Sequence, residues 1–355
     1  MPSPIKQPQW TKNEYSKNRI VKAGKEIISD TLSEEKRKDA LTVIDNWRAS
    51  HAYPLQVIYM YLKRLSKDDS TIIVAQRLKR LDSIVGKLKR FSTMSLWKMQ
   101  DLGGCRFIVS SLDDVYKYSD KLKNSSIRHI LKKQNDYIKE PQLSGYRSLH
   151  LVYKYHSDKK EEYNRNMLIE IQFRTHLQHL WATAVETMGL FTNVAIKSGK
   201  GSDEVNRFFD LTSSLFAIIE GCQTVPGTPN DIDEIVHEIE TLNADNNFLD
   251  FLSSIKALTK MEEDNDKNKR SGYCVLSLEY KTKEYETQHL SIKRFKPSEI
   301  DKANDYYNEL ESQKSNTKSD NVLVRVSSFS ELKKAYPNYF SDISEFVALI
   351  KRYLR

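Results

Sequence analysis

The residue types that could do chemistry fall in three stretches. Residues 76–88 carry Arg77, Lys79, Ser83 and Lys87, and Ser83 and Lys87 lie four apart, on one face of a helix. Cations and a hydroxyl near a helix start suit a phosphate chain, although alone they also read as an ordinary amphipathic basic helix. Next, Asp101 precedes the pair Gly103 and Gly104, with Arg106 just beyond. A carboxylate at a strand mouth beside a flexible turn suits Mg²⁺, which takes one or two carboxylates plus phosphate oxygens, or it caps the turn. The third stretch, Leu143 to Glu186, joins Tyr146, Arg147, Ser148 and His150 to Glu170, Gln172 and Arg174. A strand offering a carboxylate and an amide beside a loop with an aromatic, a cation and an imidazole can hold a nucleotide, though most such strands hold nothing.

The elements that must position these groups read as α/β (α+β). A short apolar strand over Ile72 to Ala75 leads to Arg77 and Lys79 at its end or in a loop, and the glycine pair opens a second strand. Leu149 to Tyr155 and Met167 to Phe173 alternate as strands, and Thr175 caps a helix through Leu177, Leu180, Trp181 and Met188. His176 and His179 have no third ligand in step, which argues against zinc. Ahead of the site, Tyr15 to Arg48 reads as helical, then a second helix is interrupted at Pro54. Behind it come an amphipathic helix over Asp203 to Glu220, a break over Gln223 to Asn230, and helix through Leu258. Glu262 to Arg270 reads as a charged linker. Beyond it, strands over Tyr273–Tyr280, His289–Phe295 and Asn321–Val326 and helices over Ser298–Leu310 and Ser341–Leu354 form a small module without catalytic residue types. The expected division is an N-terminal extension over 1–40, a catalytic domain over 41–222, a helical connector over 223–262 and a C-terminal regulatory domain over 271–355. Residues 1–12 read as an extended arm.

The chain has 355 residues and a net charge of +8, with 56 Lys and Arg against 48 Asp and Glu. That favours polyanionic partners, with Lys22, Lys25, Lys121, Lys123, Arg128, Lys132 and Lys133 as a candidate track, or simply solvated faces. Cys105, Cys222 and Cys274 are scattered and form no Cys-x-x-Cys pair, consistent with a reducing cytoplasm. No run reaches transmembrane length.

The basic segment, the Asp101 turn, the Gly145–Tyr146 loop and the Glu170 strand together resemble, in order and spacing, the synthetase domain of the RelA/SpoT nucleotide pyrophosphokinases over roughly residues 40–220. The resemblance implies a mixed β-sheet flanked by helices, related to nucleotidyltransferases, and transfer of the β,γ-diphosphate of ATP to a ribose 3′-hydroxyl. It implies that Arg77 and Arg106 sandwich the adenine and that Lys79, Ser83 and Lys87 hold the phosphates. Asp101 and Glu170 would bind Mg²⁺, with Glu170 also the base, while Tyr146 stacks on the acceptor base and Arg147, Ser148, His150, Gln172 and Arg174 complete the pocket. The chemistry is consistent with those roles: a diphosphate in flight needs positioning and neutralisation, a hydroxyl needs a carboxylate within reach, and planar guanidinium groups stack on adenine.

Two departures bear on the acceptor. Alarmone synthetases of this family usually carry cations where this chain has Gln142 and Asn135. Losing them points away from GDP or GTP and toward the tRNA 3′-terminal adenosine, the acceptor of the family's toxic small synthetases. The alternatives are a (p)ppGpp or (p)ppApp alarmone synthetase and, in another class, an inactive binding module. No His-Asp pair precedes the synthetase region, so restraint is expected from the C-terminal module. Its Tyr336 and Tyr339 resemble the Tyr-x-x-Tyr segment of the CapRel-type fused toxin–antitoxins, whose tail docks over the ATP site and is released by a phage capsid protein.

Overall fold

The computed structural model describes residues 9–91, 93–192, 202–254, 256–259, 272–280, 287–313, 319–326, 328–340 and 343–354. The expected linker, Glu262 to Arg270, and most of the expected N-terminal arm lie outside these residues. The strands are β1 (Ile73–Leu78), β2 (Gly103–Val109), β3 (Ile130–Asp136), β4 (Leu149–Lys154), β5 (Leu168–Thr175), β6 (Lys256–Thr259), β7 (Gly272–Tyr280), β8 (Thr287–Phe295) and β9 (Ser319–Val326). The helices are α1 (Lys17–Glu26), α2 (Glu34–Ser50), α3 (Ala52–Leu65), α4 (Leu81–Arg90), α5 (Leu112–Lys123), α6 (His176–Thr192), α7 (Asp203–Ile219), α8 (Ile232–Asn246), α9 (Phe248–Ser254), α10 (Ile300–Ser312), α11 (Phe329–Ala335) and α12 (Ser344–Tyr353). Among the described residues no helix is long and apolar enough to cross a membrane.

The strands form one mixed sheet of nine in the order β3-β4-β5-β2-β1-β9-β7-β8-β6. β2 and β5 run parallel, with antiparallel pairs on either side. Period-2 alternation sorts the side chains. Val74, Leu78, Cys105, Phe107, Leu149, Leu151, Ile169 and Ile171 pack on one face with residues of α3, α5 and α10. Ile73, Ala75 and Ile108 face the other way, toward Leu332, Ala335, Tyr336 and Tyr339. The second face carries the polar residues of the site.

Several expectations change. β1 extends through Leu78, past the expected end at Ala75, so of the two expected placements Arg77 takes the strand end and Lys79 lies just beyond it. Pro54 does not interrupt a helix: it occupies the first turn of α3, where its missing N–H has no intrahelical partner to lose. The helix expected to run through Leu258 ends at Ser254, and Lys256–Thr259 is strand β6. β3 and α11 were not anticipated. β3 is an exposed edge strand without an apolar face to alternate, whereas α11 carries a readable signal, Ser328 accepting from the Glu331 N–H at 3.1 Å with the Ser-x-x-Glu spacing of a capping box.

The C-terminal strands join the N-terminal part of the sheet through β1 and β9, with Gln76 opposite Arg325 and Arg77 opposite Val324. Beneath this seam Gln56 Oε1 accepts from Arg325 at 2.7 Å, Gln76 at 3.1 Å and the Tyr273 hydroxyl at 3.3 Å. Tyr273, Val275, Ile300, Ala303, Tyr307 and Leu323 are buried in the same cluster as Leu55, Ile58, Tyr59, Val74 and Leu78. One core therefore serves strands β1, β2, β4 and β5 and the C-terminal strands.

Candidate functional site

Sheet register brings the separated motifs into two adjacent rows. Arg77 stands opposite Gly104, Gly104 opposite Glu170 and Glu170 opposite Val152. Two residues along, Arg106 stands opposite Gln172 and Gln172 opposite His150. Directly paired residues share a face, so cations, carboxylate, amide and imidazole meet on one surface. The two glycines of β2 differ in purpose. A Cβ on Gly103 would come within 2.7 Å of Ile169 Cδ1, so that position is filled by packing, while a Cβ on Gly104 would meet nothing nearer than the Glu170 carbonyl at 3.9 Å. The bare Gly104 leaves an opening between Arg77 and Glu170.

On one side of that opening lies a cationic cradle. Lys79 and Lys87 each bind Asp101, at 2.7 and 3.0 Å to its two oxygens. Burial alone would raise the Asp101 pKa, but the two ammonium groups prevail and hold it below the usual carboxylate range. Lys79 is fixed from behind, its N–H donating to Leu102 O at 2.8 Å. Ser83 lies in the first turn of α4 and Lys87 one turn later.

On the other side Glu170 is held by a relay. His150 Nδ1 is 3.1 Å from Glu170 Oε1 and its Nε2 is 2.9 Å from the Tyr146 hydroxyl. Gln172 donates to Glu170 Oε2 at 2.7 Å, and Arg174 donates to Gln172 Oε1 at 2.6 Å and to the Tyr146 hydroxyl at 3.0 Å. Burial works against charging His150, but Tyr146 and Glu170 outweigh it and push its pKa up to about 9. Burial likewise works to raise the Glu170 pKa, and the His150 charge reverses that and lowers it. Arg147 and Ser148 hold the loop: Arg147 bonds Ser213 at 3.1 Å and Gln223 O at 2.6 Å, and Ser148 bonds Phe173 O at 2.9 Å. Their described hydrogen bonds all run to the scaffold of the loop. Gly145 has φ +76°, and a Cβ there would stand 2.9 Å from Trp181 Cζ2.

The C-terminal segment covers the Arg77–Arg106 end. Arg106 donates to Ala335 O at 2.9 Å, and its guanidinium carbon is 5.2 Å from the centre of the Tyr336 ring. Burial pushes the Tyr336 phenol up to about 12, against the pull of Arg106 and Arg77. Burial also lowers the Arg77 pKa, with Arg106 adding to the effect. Arg80 is paired with Asp320 and donates to the Tyr339 hydroxyl at 3.2 Å. His179 Nε2 is 2.8 Å from Lys334 O, and burial lowers the pKa of this imidazole. Among the described residues no three His, Cys, Asp or Glu group as a metal site, and His176 instead meets Glu345 at 2.8 Å. Arg80 was not singled out in the sequence, and His179 was weighed only as a metal ligand, because what gives them a role is the distant segment they contact.

Residues 76–191 match the family model of the region found in RelA and SpoT proteins. The GTP pyrophosphokinase YjbM of Bacillus subtilis is 33% identical over 179 residues, covering 48% of this chain and 82% of that protein. YwaC, a GTP pyrophosphokinase of the same organism, is 29% identical over 169 residues, covering 43% of this chain and 79% of YwaC. Among solved structures, small alarmone synthetase 1 from Bacillus subtilis bound to its product pppGpp aligns with a TM-score of 0.42 at 26% identity, covering 48% of this chain and 89% of that one.

Proposed function

The chain is a pyrophosphokinase of the RelA/SpoT family, and from that premise we propose that it transfers the β,γ-diphosphate of ATP to a ribose 3′-hydroxyl and is held off by residues 334–339. The observation that carries this reading is the Arg77–Gly104–Glu170 row, with a cationic cradle on one side of the opening and the Tyr146–His150 relay on the other. Arg77 and Arg106 take the adenine between planar guanidinium groups, and Lys79, Ser83 and Lys87 take the phosphates. The 3′-oxygen attacks the β-phosphorus, the bond from that phosphorus to the α,β-bridging oxygen breaks, AMP leaves, and the hydroxyl proton passes to Glu170. His150 and Gln172 aim the carboxylate, and Tyr146 receives the acceptor base.

Asp101 and Glu170 lie close enough for the Asp101 charge to oppose ionisation of Glu170. Two neighbouring carboxylates beside a phosphate cradle fit Mg²⁺. Asp101 and Glu170 would hold the ion, which when bound neutralises charge on the diphosphate. Lys79 and Lys87 would then be released from Asp101 to the phosphates.

The names of YjbM and YwaC support a guanosine nucleotide, GDP or GTP, as acceptor, which makes this chain an alarmone synthetase. A second reading, transfer to the 3′-terminal adenosine of tRNA, is favoured by the neutral side chains at Asn135 and Gln142. In that reading the chain is a growth-arresting enzyme of the cytoplasm, of the toxic or CapRel-type group, with a phage capsid protein as the releasing signal. Supporting restraint in either case, Tyr336 and Tyr339 are both 1% exposed and rest on Arg106 and Arg80. Incubation with γ-labelled ATP and either GDP or tRNA tests the assignment. Label in a guanosine tetraphosphate identifies the first reading, label in tRNA the second, and label in neither from a chain freed of Tyr336 and Tyr339 sinks both.

A further inference from the structure

Neither Arg48 nor Tyr307 lies within residues 76–191, the stretch that matches the family model, yet both end on the corner where β1 gives way to α4 and the phosphate cradle begins. Lys79 is tied there on both sides: its N–H donates to Leu102 O at 2.8 Å, and its carbonyl accepts from Arg48 Nε at 2.7 Å. Leu81, the first residue of α4, donates its N–H to the Tyr307 hydroxyl at 3.3 Å. An N–H in the first turn of a helix has no partner inside the helix, and Arg80, at the cap position, supplies none from its side chain. A hydroxyl from α10 takes that place. Arg48 and Tyr307 also meet each other, the guanidinium carbon standing 3.9 Å from the centre of the ring.

For core packing alone Arg48 is a poor choice. It is 0% exposed, and its two terminal nitrogens have no hydrogen-bond partner among the described residues. A buried charge is costly unless it is paired, and here the bond to Lys79 O, the face of Tyr307 and the attraction of Asp45 offset that cost. A planar guanidinium that stacks on a ring and donates from its edge fixes the direction of the carbonyl it holds. We propose that Arg48 and Tyr307 are positioning residues for the cradle of Lys79, Ser83 and Lys87, so that helix α10 of the C-terminal region is part of the working ATP site. This assignment rests on the pyrophosphokinase reading above. Arg80, between the two tied residues, bonds both Tyr339 and Asp320. The Tyr339 contact belongs to residues 334–339 and is lost when they lift, whereas Asp320 on β9 and Tyr307 on α10 lie outside that segment. The C-terminal region therefore restrains the site with one segment and builds it with another.

The test uses the full chain carrying Tyr336→Ala and Tyr339→Ala, with and without Tyr307→Phe, and titration calorimetry with ATP and with AMP, which lacks the β- and γ-phosphates. Tyr307→Phe keeps the ring beside Arg48 and removes the acceptor of the Leu81 N–H. It is expected to weaken ATP binding about three- to tenfold, the loss of one neutral hydrogen bond, and to leave AMP binding within about twofold. In transfer assays with labelled ATP, the KM for ATP rises and the KM for the acceptor holds. Arg48→Lys, which keeps the charge and loses the planar Nε donor, moves the ratio of ATP to AMP affinity the same way. A purely structural role would weaken ATP and AMP together and lower the thermal midpoint; that result, or an unchanged ratio, overturns the assignment. The two failures are distinguishable. Without transfer by the parent the enzyme reading falls, while the ratio of ATP to AMP affinity still decides the role of Tyr307.

Discussion

The ring of Tyr336 stands 5.2 Å from the guanidinium carbon of Arg106, and the carbonyl of the preceding residue, Ala335, accepts a 2.9 Å hydrogen bond from the same guanidinium. The site proposed for adenine is thereby filled by the chain's own backbone and an aromatic ring. The Tyr336 hydroxyl is buried with no hydrogen-bond partner among the described residues, so the contact depends on the ring. Tyr336→Phe is expected to leave restraint intact, and Tyr336→Ala to tighten apparent ATP affinity by on the order of tenfold to a hundredfold as the open state gains population. Titration calorimetry with ATP checks both, and equal ATP affinities for the Ala and Phe variants would refute a ring-based cover.

Glu170 is held by His150 at 3.1 Å and Gln172 at 2.7 Å, an arrangement that aims the carboxylate and keeps it ionised. Glu170→Gln is expected to lower transfer by about 10²–10⁴-fold, the range for loss of a general base, while ATP binding persists. Transfer within a few-fold of the parent would remove Glu170 from the role of base.

A shared core constrains truncation. Tyr273, Val275, Tyr307 and Leu323 are buried against Leu55, Ile58 and Val74, so deleting residues 271–355 strips apolar cover from the catalytic sheet as well as removing Tyr336. That deletion is expected to lower the thermal midpoint by ten degrees or more, on the order of several kcal/mol of lost burial, whereas Tyr336→Ala with Tyr339→Ala leaves the sheet joined at β1 and β9. Melting curves of the two proteins decide it. An unchanged midpoint for the deletion would mean that the catalytic sheet folds independently.

On α2, burial pushes the Asp45 carboxyl up to about 6, against the attraction of Arg48. An acid with a raised folded-state pKa binds its proton more tightly when folded. Its contribution is therefore full below the unfolded value near 3.8 and is lost as pH rises toward 6. The loss is about 1–3 kcal/mol after allowance for partial exposure. Asp45→Asn is expected to stabilise the protein at pH 7 and to flatten the decline between pH 4 and pH 6 in urea melts. A stability profile that keeps the parent's slope would contradict this.

How far the sequence could be read follows from where the signals lie. Arg77, Lys79, Asp101, Glu170 and Tyr146 could be singled out as candidates from residue type and spacing, beside strands marked by apolar alternation. The Arg77–Gly104–Glu170 row was not legible, since register between strands distant in sequence is set by packing and not by any local pattern. The partners of Arg147 and Ser148 were not legible either, since only the fold brings Ser213, Gln223 and Phe173 to them. β3 escaped notice because, exposed on both faces, it has no apolar period.

The most direct test of the central claim is transfer of label from γ-labelled ATP by the full chain and by its Tyr336→Ala, Tyr339→Ala variant, with GDP and with tRNA as acceptors. The account requires little transfer by the parent and at least about tenfold more by the variant, to one of the two acceptors and abolished by Glu170→Gln. Equal transfer by parent and variant would contradict the restraint, and transfer that survives Glu170→Gln would contradict the site.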